Sequence, residues 1–306
     1  MSSRERRTFP LLPRRRLTGL PMGDFPGRRR GHGTEVIGTR PYEPGDPVAT
    51  IDWFATARLS AASGGDEFVV RDRAADETPR VIVLLDRRPS MSLYPAPLPW
   101  LSKQEAQRQA AIAVAASAAA ARADIGSLDL GSGEEWWLPP GRRDRAWLVA
   151  ERAGAAAFDA PDDTIVRAFD FLRRHRTDAP GGTFVFVVSD FLAGPPTETW
   201  LDALAQGWDL VPVVVQDRVW ERSWPNVGGV AVPVADPRSG SRRLVRLSRR
   251  RCGRLRREHE ARYAALLAEL ASVGLRPVEV DSSDPWTVDE AFLAWAEERR
   301  RGRWAR

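Results

Sequence analysis

A buried-type apolar run that ends at a carboxylate constrains this chain more than any other feature of its sequence. Residues 80–92 read RVIVLLDRRPSMS, in which VIVLL is followed by Asp86 and then by the hydroxyls of Ser90 and Ser92. The run does not alternate between apolar and polar residues, which is typical of a strand covered on both faces, and Pro89 prevents the strand from continuing. Because ligands of open α/β sheets bind at the carboxyl ends of such strands, we expect Asp86 to lie at a ligand or metal site.

Strand and helix patterns alternate from Arg80 onward, which predicts a mostly parallel central sheet flanked by helices, an α/β fold. A second buried-type strand, TFVFVVSDF at residues 183–191, also ends in a carboxylate, Asp190. Residues 209–215 predict a third central strand. Residues 230–247 are β-prone but interrupted by Pro, Gly and Arg, and they predict a hairpin or an edge excursion.

Three regions are expected along the chain. Residues 1–30 are rich in Arg and Pro without a sustained period, which favours a flexible or surface-wrapped arm. Residues 31–79 contain short β-prone pieces between turn signals and predict a small, mostly extended, β-rich subregion. Residues 80–306 form the α/β domain, with residues 218–250 as a candidate insertion.

Composition narrows the classes of function. With 306 residues, of which 43% are hydrophobic, the chain can bury a sizeable core. No apolar run approaches the roughly 20 residues that cross a bilayer, and the N-terminus lacks a signal-peptide core, so we expect a cytoplasmic protein. Cys252 is the only cysteine, which excludes an internal disulfide and a cysteine-based zinc site. With three histidines and no nucleophile elbow, Walker loop or zinc signature, there is no catalytic constellation to propose.

The positive charge of the chain comes almost entirely from arginine. The formal net charge is +5, and Lys103 is the only lysine among 46 basic residues, which indicates codon bias as much as selected function. The arginine clusters at 14–16, 28–30, 249–251 and 299–301 are either solvated or internally paired charges, or a face for an anionic partner. Nucleic acid is the less favoured partner, because no helix-turn-helix or aromatic-interleaved motif accompanies these clusters.

The strand-end acids and the nearby hydroxyls form a candidate cation site. Asp86 and Asp190 end two strands of one predicted sheet, so their oxygens can converge at one edge with those of Ser90 and Ser92. Hard oxygen ligands of this kind suit Mg²⁺ or Mn²⁺. The alternative is that the two acids cap neighbouring loop or helix amides.

An ordered series of motifs resembles a known bacterial family. GHGTEVIGTRPYEPGDPVATIDWFATAR, FVVRDR, VIVLLDRRPSM and VVSDF lie between residues 31 and 195 and are similar to the signature of the domain of unknown function fifty-eight family. The ordered series PGD, IDW, AR, DxxxSM and SDF is much less expected by chance than any one piece. That family is similar to the von Willebrand factor type A domain, so the resemblance implies a mostly parallel sheet flanked by helices.

The resemblance also implies a metal-ion-dependent adhesion site, built from an Asp-x-Ser-x-Ser motif, a Thr from a second loop and an Asp from a third. On this chain the motif falls on Asp86, Arg88 and Ser90, the Thr on Thr164, and the last acid on Asp190. Arg88 departs from the pattern, because a guanidinium cannot coordinate a cation. At about 5 Å from a divalent ion and an effective dielectric of about 20, it would cost roughly 6 kcal/mol.

Three interpretations of this departure stay open. Arg88 occupies the site as an internal cation that pairs with Asp86 and Asp190, or it swings away and a metal is retained, or the motif is only a structural turn. We interpret Arg88 and Ser92 as residues that modify the adhesion site, and we therefore expect this site to be degenerate. Mg²⁺ or Mn²⁺ is the less favoured occupant.

The segment GDPVATIDWFATAR supplies candidate interaction or domain-docking residues. Asp46, Asp52 and Arg58 have a spacing compatible with ion pairs that tie this segment to the main domain. Asp52 is either a binding residue or a buried, paired carboxylate. Trp53 is expected in the core rather than as a ligand platform.

Two functions follow from these observations. The first is a non-enzymatic protein-interaction module or adaptor that binds an acidic side chain or peptide at the sheet edge. The resemblance implies that it works with a MoxR-type AAA+ ATPase in protein remodelling or maturation. The alternative is a metal-dependent hydrolase or nuclease that uses Asp86 and Asp190 on a polyanion.

Overall fold

The chain divides into two compact units in the computed structural model. One comprises residues 14–78, and the other comprises residues 1–13 with 79–306. The structure describes residues 6–13, 26–30, 36–43, 46, 48–63, 68–76, 78–94, 100–141, 145–155 and 157–304.

The smaller unit combines a three-stranded antiparallel sheet with one helix. Its elements are β1 (Pro26–Arg30), β2 (Val36–Pro41), α1 (Trp53–Ser63) and β3 (Val69–Asp76). β3 lies between β1 and β2. The sequence indicated short β-prone pieces in this region, but it did not indicate α1, which WFATARLSAAS forms because its Ala, Leu and Arg residues favour helix.

The larger unit is built around one six-stranded sheet flanked by helices. Its elements are β4 (Arg80–Leu85), α2 (Lys103–Ala120), β5 (Asp124–Asp129), β6 (Trp136–Gly141), α3 (Ala146–Ala155), α4 (Thr164–Arg174), β7 (Phe184–Ser189), α5 (Thr197–Ala205), β8 (Asp209–Val215), β9 (Val230–Ala235), β10 (Arg242–Leu247), α6 (Arg249–Ser272), β11 (Val278–Val280) and α7 (Pro285–Trp304). The strand order is β11-β8-β7-β4-β5-β6, and only β6 runs antiparallel to its neighbour. This architecture confirms the predicted α/β class.

The centre of the sheet is covered on both faces. Every residue of β7 and β8 is buried, as is every residue of β4 after Arg80, in agreement with their non-alternating apolar sequences. α2 packs on these strands through alanines, whose small side chains allow close approach. Ser102 begins this helix by accepting a hydrogen bond from the N–H of Glu105.

Residues 6–13, expected in a flexible or surface-wrapped arm, pack against the larger unit. Phe9 is buried and stacks on Phe292 of α7 with ring centroids 4.8 Å apart. Its N–H donates to Ser117 Oγ of α2 at 3.0 Å, and Arg6 pairs with Asp289 at 2.7 Å. Of the two alternatives for this arm, the flexible one is wrong for these residues, because the buried Phe9 and Leu11 outweigh the Arg- and Pro-rich composition. Residues 1–5 and 14–25 lie outside the described residues.

Residues 230–247 form the hairpin of β9 and β10, one of the two predicted alternatives. It is a separate two-stranded sheet, not an extension of the central one. Among the described helices, none combines the length and the apolar character needed to span a membrane.

Candidate functional site

Three acids end three adjacent strands of the central sheet. β4 lies between β5 and β7, and Leu85 is in register with both Asp129 of β5 and Val188 of β7. Asp129, Asp86 and Asp190 therefore stand side by side at the carboxyl end of the sheet, and all three are buried. We call these acids, together with Glu221 from the loop after β8, the carboxylate rim.

Asp86 is paired with Arg88, only two residues away. The Arg88 guanidinium donates from Nη2 to Asp86 Oδ2 at 2.6 Å and from Nε to both carboxylate oxygens, while the backbone N–H of Arg88 donates to Oδ1 at 2.9 Å. Ser189 Oγ adds a hydrogen bond to Oδ2 at 2.7 Å. The lone pairs of both oxygens are thus largely taken by protein donors.

The rest of the Arg88 guanidinium is also fixed. Nη1 donates to the carbonyl of Ala193 at 2.5 Å, Nη2 donates to Ser189 Oγ at 3.0 Å and lies 3.8 Å from Asp190 Oδ1. Burial acts to lower the pKa of Arg88, but the hydrogen bonds and charge of Asp86 outweigh it, and the pKa is raised. Arg88 therefore remains a cation inside the rim.

Asp190 is paired with Lys103, the only lysine of the chain. Lys103 Nζ donates to Asp190 Oδ2 at 2.7 Å and to Glu221 Oε1 at 2.7 Å, and its side chain is fully buried. Ser90 also interacts with the Asp190 carboxylate, and the N–H of Leu192 donates to Oδ1 at 3.1 Å. One ammonium thus bridges two acids from different strand ends.

The two acids on Lys103 differ in their proton affinity. Burial acts to raise the pKa of Asp190, but the charge and hydrogen bond of Lys103 and the hydrogen bond of Ser90 outweigh it, and the pKa is lowered. For Glu221 burial dominates, with repulsion from Asp190 in addition, and its pKa is raised despite Lys103. Asp190 is therefore the anchored carboxylate of the pair.

The third strand end carries a further ion-pair cluster. Arg152 pairs with Asp129 at 2.6 Å, and the buried Arg87 has its Nε 3.5 Å from the same carboxylate. Arg87 donates to Gln107 Oε1 at 3.0 Å and to the carbonyls of Arg152 and Ala153 at 2.7 and 3.2 Å. Burial lowers the pKa of Arg87 more than Asp129 raises it. Each acid at the three strand ends has a cation of its own.

Two side-chain amides donate hydrogen bonds to backbone carbonyls at the strand ends. Gln107 Nε2 donates to the carbonyl of Asp86 at 2.7 Å, and Gln216 Nε2 donates to the carbonyl of Asp190 at 2.5 Å. Phe191, directly after Asp190, has a left-handed backbone with φ of 49° although it is bulky and buried. Such a residue costs about 1–3 kcal/mol, which the packed rim must offset. The loops of the rim are therefore held tightly in one arrangement.

Two further candidates, Thr164 by resemblance and Ser92 as a site-modifying residue, make other contacts than hydrogen bonds to the two acids. Thr164 begins α4 and is buried, but within the described chain no hydrogen bond joins it to Asp86 or Asp190. Ser92 donates to the carbonyl of Pro89 at 2.7 Å and stabilises the turn after β4. Asp86, Arg88, Ser90 and Asp190 thus interact directly, whereas no hydrogen bond within the described chain joins Thr164 or Ser92 to either acid.

The four docking candidates of the smaller unit have local roles. Asp46 pairs with Arg40 of the same unit, while Asp52 caps α1 by accepting from the N–H groups of Phe54 and Ala55 at 3.1 Å. Arg58 Nε donates to the carbonyl of Phe54 at 3.4 Å.

The expectation that Trp53 lies in the core is wrong, because this residue is 59% exposed. It begins α1 and packs edge-to-face on Phe68 with ring centroids 6.1 Å apart. The reason is that α1 begins with two exposed aromatic residues, Trp53 and Phe54, and buries Thr56, an arrangement that an extended interpretation of this segment could not include.

Lys103 is the bridging residue that sequence reasoning missed, together with the rim acids Asp129 and Glu221. The amino-acid composition could have indicated Lys103, because it is the one lysine in a chain with 45 arginines. An ammonium is a compact point charge with three donors, whereas a guanidinium is a planar fork, so the two are not interchangeable in a buried bridge between two acids.

No group of three or more His, Cys, Asp or Glu side chains arranged to hold a metal occurs in the described part of the chain.

Comparison with known proteins places the chain among bacterial relatives. Uncharacterized proteins of Mycobacterium bovis and Mycobacterium tuberculosis are 26% identical over 300 residues, which cover 97% of this chain and 89% of theirs. Among solved structures, the conserved hypothetical protein BatB from Bacteroides thetaiotaomicron aligns with a TM-score of 0.43 and 17% identity, covering 72% of this chain and 99% of that one. An aerotolerance-related membrane protein from Bacteroides fragilis aligns with a TM-score of 0.40 and 13% identity over the same shares. The model of the family described as protein of unknown function DUF58 matches residues 38–267, and the chain therefore belongs to that family.

Proposed function

We propose that the protein is a non-enzymatic interaction module of the von Willebrand factor A type whose metal-ion-dependent adhesion site is degenerate. The observation that carries the proposal is the pairing of both site acids with cations of the chain itself, Arg88 with Asp86 and Lys103 with Asp190. In this proposal the guanidinium and the ammonium take the place of a metal ion. Partner recognition at the carboxyl end of the sheet is then independent of metal.

The donor set of the carboxylate rim does not fit Mg²⁺ or Mn²⁺. These ions need several oxygen ligands with free lone pairs in a near-octahedral arrangement. The Asp86 oxygens already accept from Arg88 and Ser189, and Asp190 already accepts from Lys103. At about 5 Å from either cation and an effective dielectric of about 20, a divalent ion would meet a repulsion of roughly 6 kcal/mol. A metal-dependent hydrolase or nuclease needs the same oxygens, so it has less support.

In this proposal, the internal cations hold the loops of the carboxylate rim in place without a metal ion. Arg88 and Lys103 connect the turn after β4, the start of α2 and the loops after β7 and β8 through buried ion pairs and a hydrogen bond to the carbonyl of Ala193. The loop surface offered to a partner is therefore pre-organised, which lowers the entropic cost of binding.

For the partner we propose a MoxR-type AAA+ ATPase, with this protein as an adaptor in protein remodelling or maturation. Membership of the family supports this choice, since the resemblance implies that association. The contact itself would be an acidic side chain or peptide at the edge of the sheet.

Calorimetric titration of Mg²⁺ and Mn²⁺ into the full chain tests the degenerate site. We expect no binding by the wild-type protein and binding by R88S/K103A, which lacks both internal cations. Adding Asp86→Ala to that variant is the matched control and should abolish binding. Wild-type binding at about 1 mM or tighter that Asp86→Ala abolishes would overturn the degenerate site.

Capture from a native extract tests the partner. The immobilised full chain is expected to retain a MoxR-type ATPase equally with Mg²⁺ and with a chelator. Arg300→Ser, which removes an exposed arginine, should leave capture unchanged. Recovery of no ATPase subunit under either condition would contradict the partnership.

A further inference from the structure

Positive charge is concentrated in one stretch of the larger unit. Residues 237–257 contain ten arginines and neither Asp nor Glu, whereas the remaining 285 residues carry a formal net charge of −5. The stretch covers the second half of the β9–β10 hairpin and the first turns of α6. We call it the basic hairpin surface.

All arginines of this surface except the half-buried Arg256 are exposed, and most lack partners within the described chain. No hydrogen bond or ion pair within the described chain engages the guanidinium groups of Arg242, Arg243, Arg246, Arg249, Arg250 and Arg251. Arg238, in the turn of the hairpin, does pair with Asp162, an acid whose charge also acts on Arg88. The turn of the hairpin therefore lies at the same end of the sheet as the carboxylate rim.

The hairpin has one anchored face and one open face. On the anchored face, Leu247 is buried and Val245, opposite Val232, is partly buried. On the open face, Arg242, Leu244 and Arg246 alternate along β10, and Leu244 is 72% exposed. An apolar side chain between two guanidinium groups suits a ligand with an apolar group between two anions.

The outer edge of β10 is available for pairing. The two strands form a sheet of their own, with no third strand among the described residues. Pro233 removes a main-chain donor from β9, while RRLVRL of β10 contains no proline. An added strand would place its side chains directly opposite those of β10.

We propose that the basic hairpin surface binds an acidic, extended polypeptide segment by strand addition to β10. The segment carries acidic residues at positions i and i+4 and an apolar residue at i+2, opposite Arg242, Leu244 and Arg246. A protein segment is favoured over nucleic acid because the centre of the open face is apolar, and because residues 225–262 contain no Phe, Trp or Tyr for base stacking. The site consists of other residues than the rim, so it goes beyond the function proposed above.

Fluorescence anisotropy with a labelled peptide of about ten residues, centred on Glu-x-Val-x-Glu, tests this proposal. We expect the full chain to bind it in low salt, and R242S/R246S to weaken binding about tenfold or more. Leu244→Ser should weaken it about threefold or more without any change of charge. R242E/R246E should instead bind the peptide in which both Glu are replaced by Lys.

The controls separate this site from general charge and from the rim. R300S/R301S removes the same charge from the end of α7 and should retain binding, as should Arg88→Ser. The proposal would be overturned if the wild-type chain did not bind the peptide, bound a scrambled peptide equally well, or bound a duplex DNA of about 20 base pairs more tightly. It would also be overturned if R300S/R301S weakened peptide binding as much as R242S/R246S, or if Arg88→Ser weakened peptide binding. Circular dichroism verifies that each variant is folded.

Discussion

Charged side chains dominate both the carboxylate rim and the basic hairpin surface, but their surroundings are opposite. At the rim, Asp86 and Asp190 are buried and hydrogen-bonded to cations of the chain. On the hairpin, Arg242 and Arg246 are exposed and have no partner in the described chain. Buried charges without partners cost several kcal/mol, whereas exposed charges are solvated and screened. Removing a charge should therefore reduce stability at the rim and reduce binding at the hairpin.

Substitution of Lys103 should give the largest effect on stability. Lys103→Met keeps most of the side-chain volume but leaves Asp190 and Glu221 buried without their shared cation. We expect the free energy of unfolding to fall by about 3–5 kcal/mol in urea denaturation. Arg300→Met, at an exposed ion pair, should change it by less than about 1 kcal/mol.

A double variant makes this prediction specific to charge. K103M/D190N removes one uncompensated carboxylate together with the lysine, so part of the lost stability should return. If K103M/D190N is less stable than K103M, the loss arises from packing, and the buried bridge is not the cause.

Arg88→Ser should give the second largest effect. Asp86 then keeps the backbone N–H of residue 88 and the hydroxyl of Ser189, but it loses the guanidinium. We expect a loss of about 2–4 kcal/mol in the free energy of unfolding, smaller than for Lys103→Met because the second acid near Arg88, Asp190, keeps its closer partner Lys103. Ser189→Ala, which removes only a hydroxyl, should cost about 1 kcal/mol. A cost of Arg88→Ser no greater than that of Ser189→Ala would contradict a buried ion pair.

The carboxylate rim also shows which features of the fold can be predicted from the sequence alone. The runs VIVLL and FVFVV were sufficient to predict two buried strands, each ending in an acid. They lie side by side in the sheet, which gives Asp86 and Asp190 a common edge. Periodicity is a local property of the chain, so it predicts the strands and their acids well.

The partners of those acids depend on packing between distant segments. Lys103 begins α2, and its contact with Asp190 and Glu221 follows from how that helix lies on the sheet. Likewise, Phe9 is buried against Phe292, which is nearly the whole chain away. No pattern within a short window encodes such contacts, so the sequence predicted the strand-end acids but not the lysine that bridges Asp190 and Glu221.

Glu221 provides a smaller effect that depends on pH. Its pKa is raised above the ordinary 4.5 mainly by burial, so the folded state binds more protons than the unfolded state above that pH. The contribution of Glu221 to stability is therefore fully present below pH 4.5 and is lost as the pH rises through the folded pKa. The neutral side chain in Glu221→Gln removes this dependence, so the variant should gain stability relative to wild type as the pH rises above 4.5.

Asp190→Asn should show the opposite dependence, which makes it the matched control. The pKa of Asp190 is lowered from 3.8, because Lys103 and its hydrogen bonds outweigh burial. Its stabilising contribution is present above 3.8 and is lost as the pH falls through the folded pKa. Urea midpoints measured across the acid range distinguish the two; identical pH profiles for Glu221→Gln and wild type would contradict the raised pKa.

The basic hairpin surface should give the smallest effect on stability, which completes the comparison. R242S/R246S removes two exposed guanidinium groups without described partners, so we expect the free energy of unfolding to change by about 0.5 kcal/mol or less. Removing like charges from a stretch with ten arginines and no acid reduces repulsion, so any change should be towards higher stability, and it should diminish as salt is added. Urea denaturation in low and high salt measures both. A loss of more than about 1 kcal/mol would indicate that these arginines are paired within the folded chain, like those of the rim, and are not available to a partner.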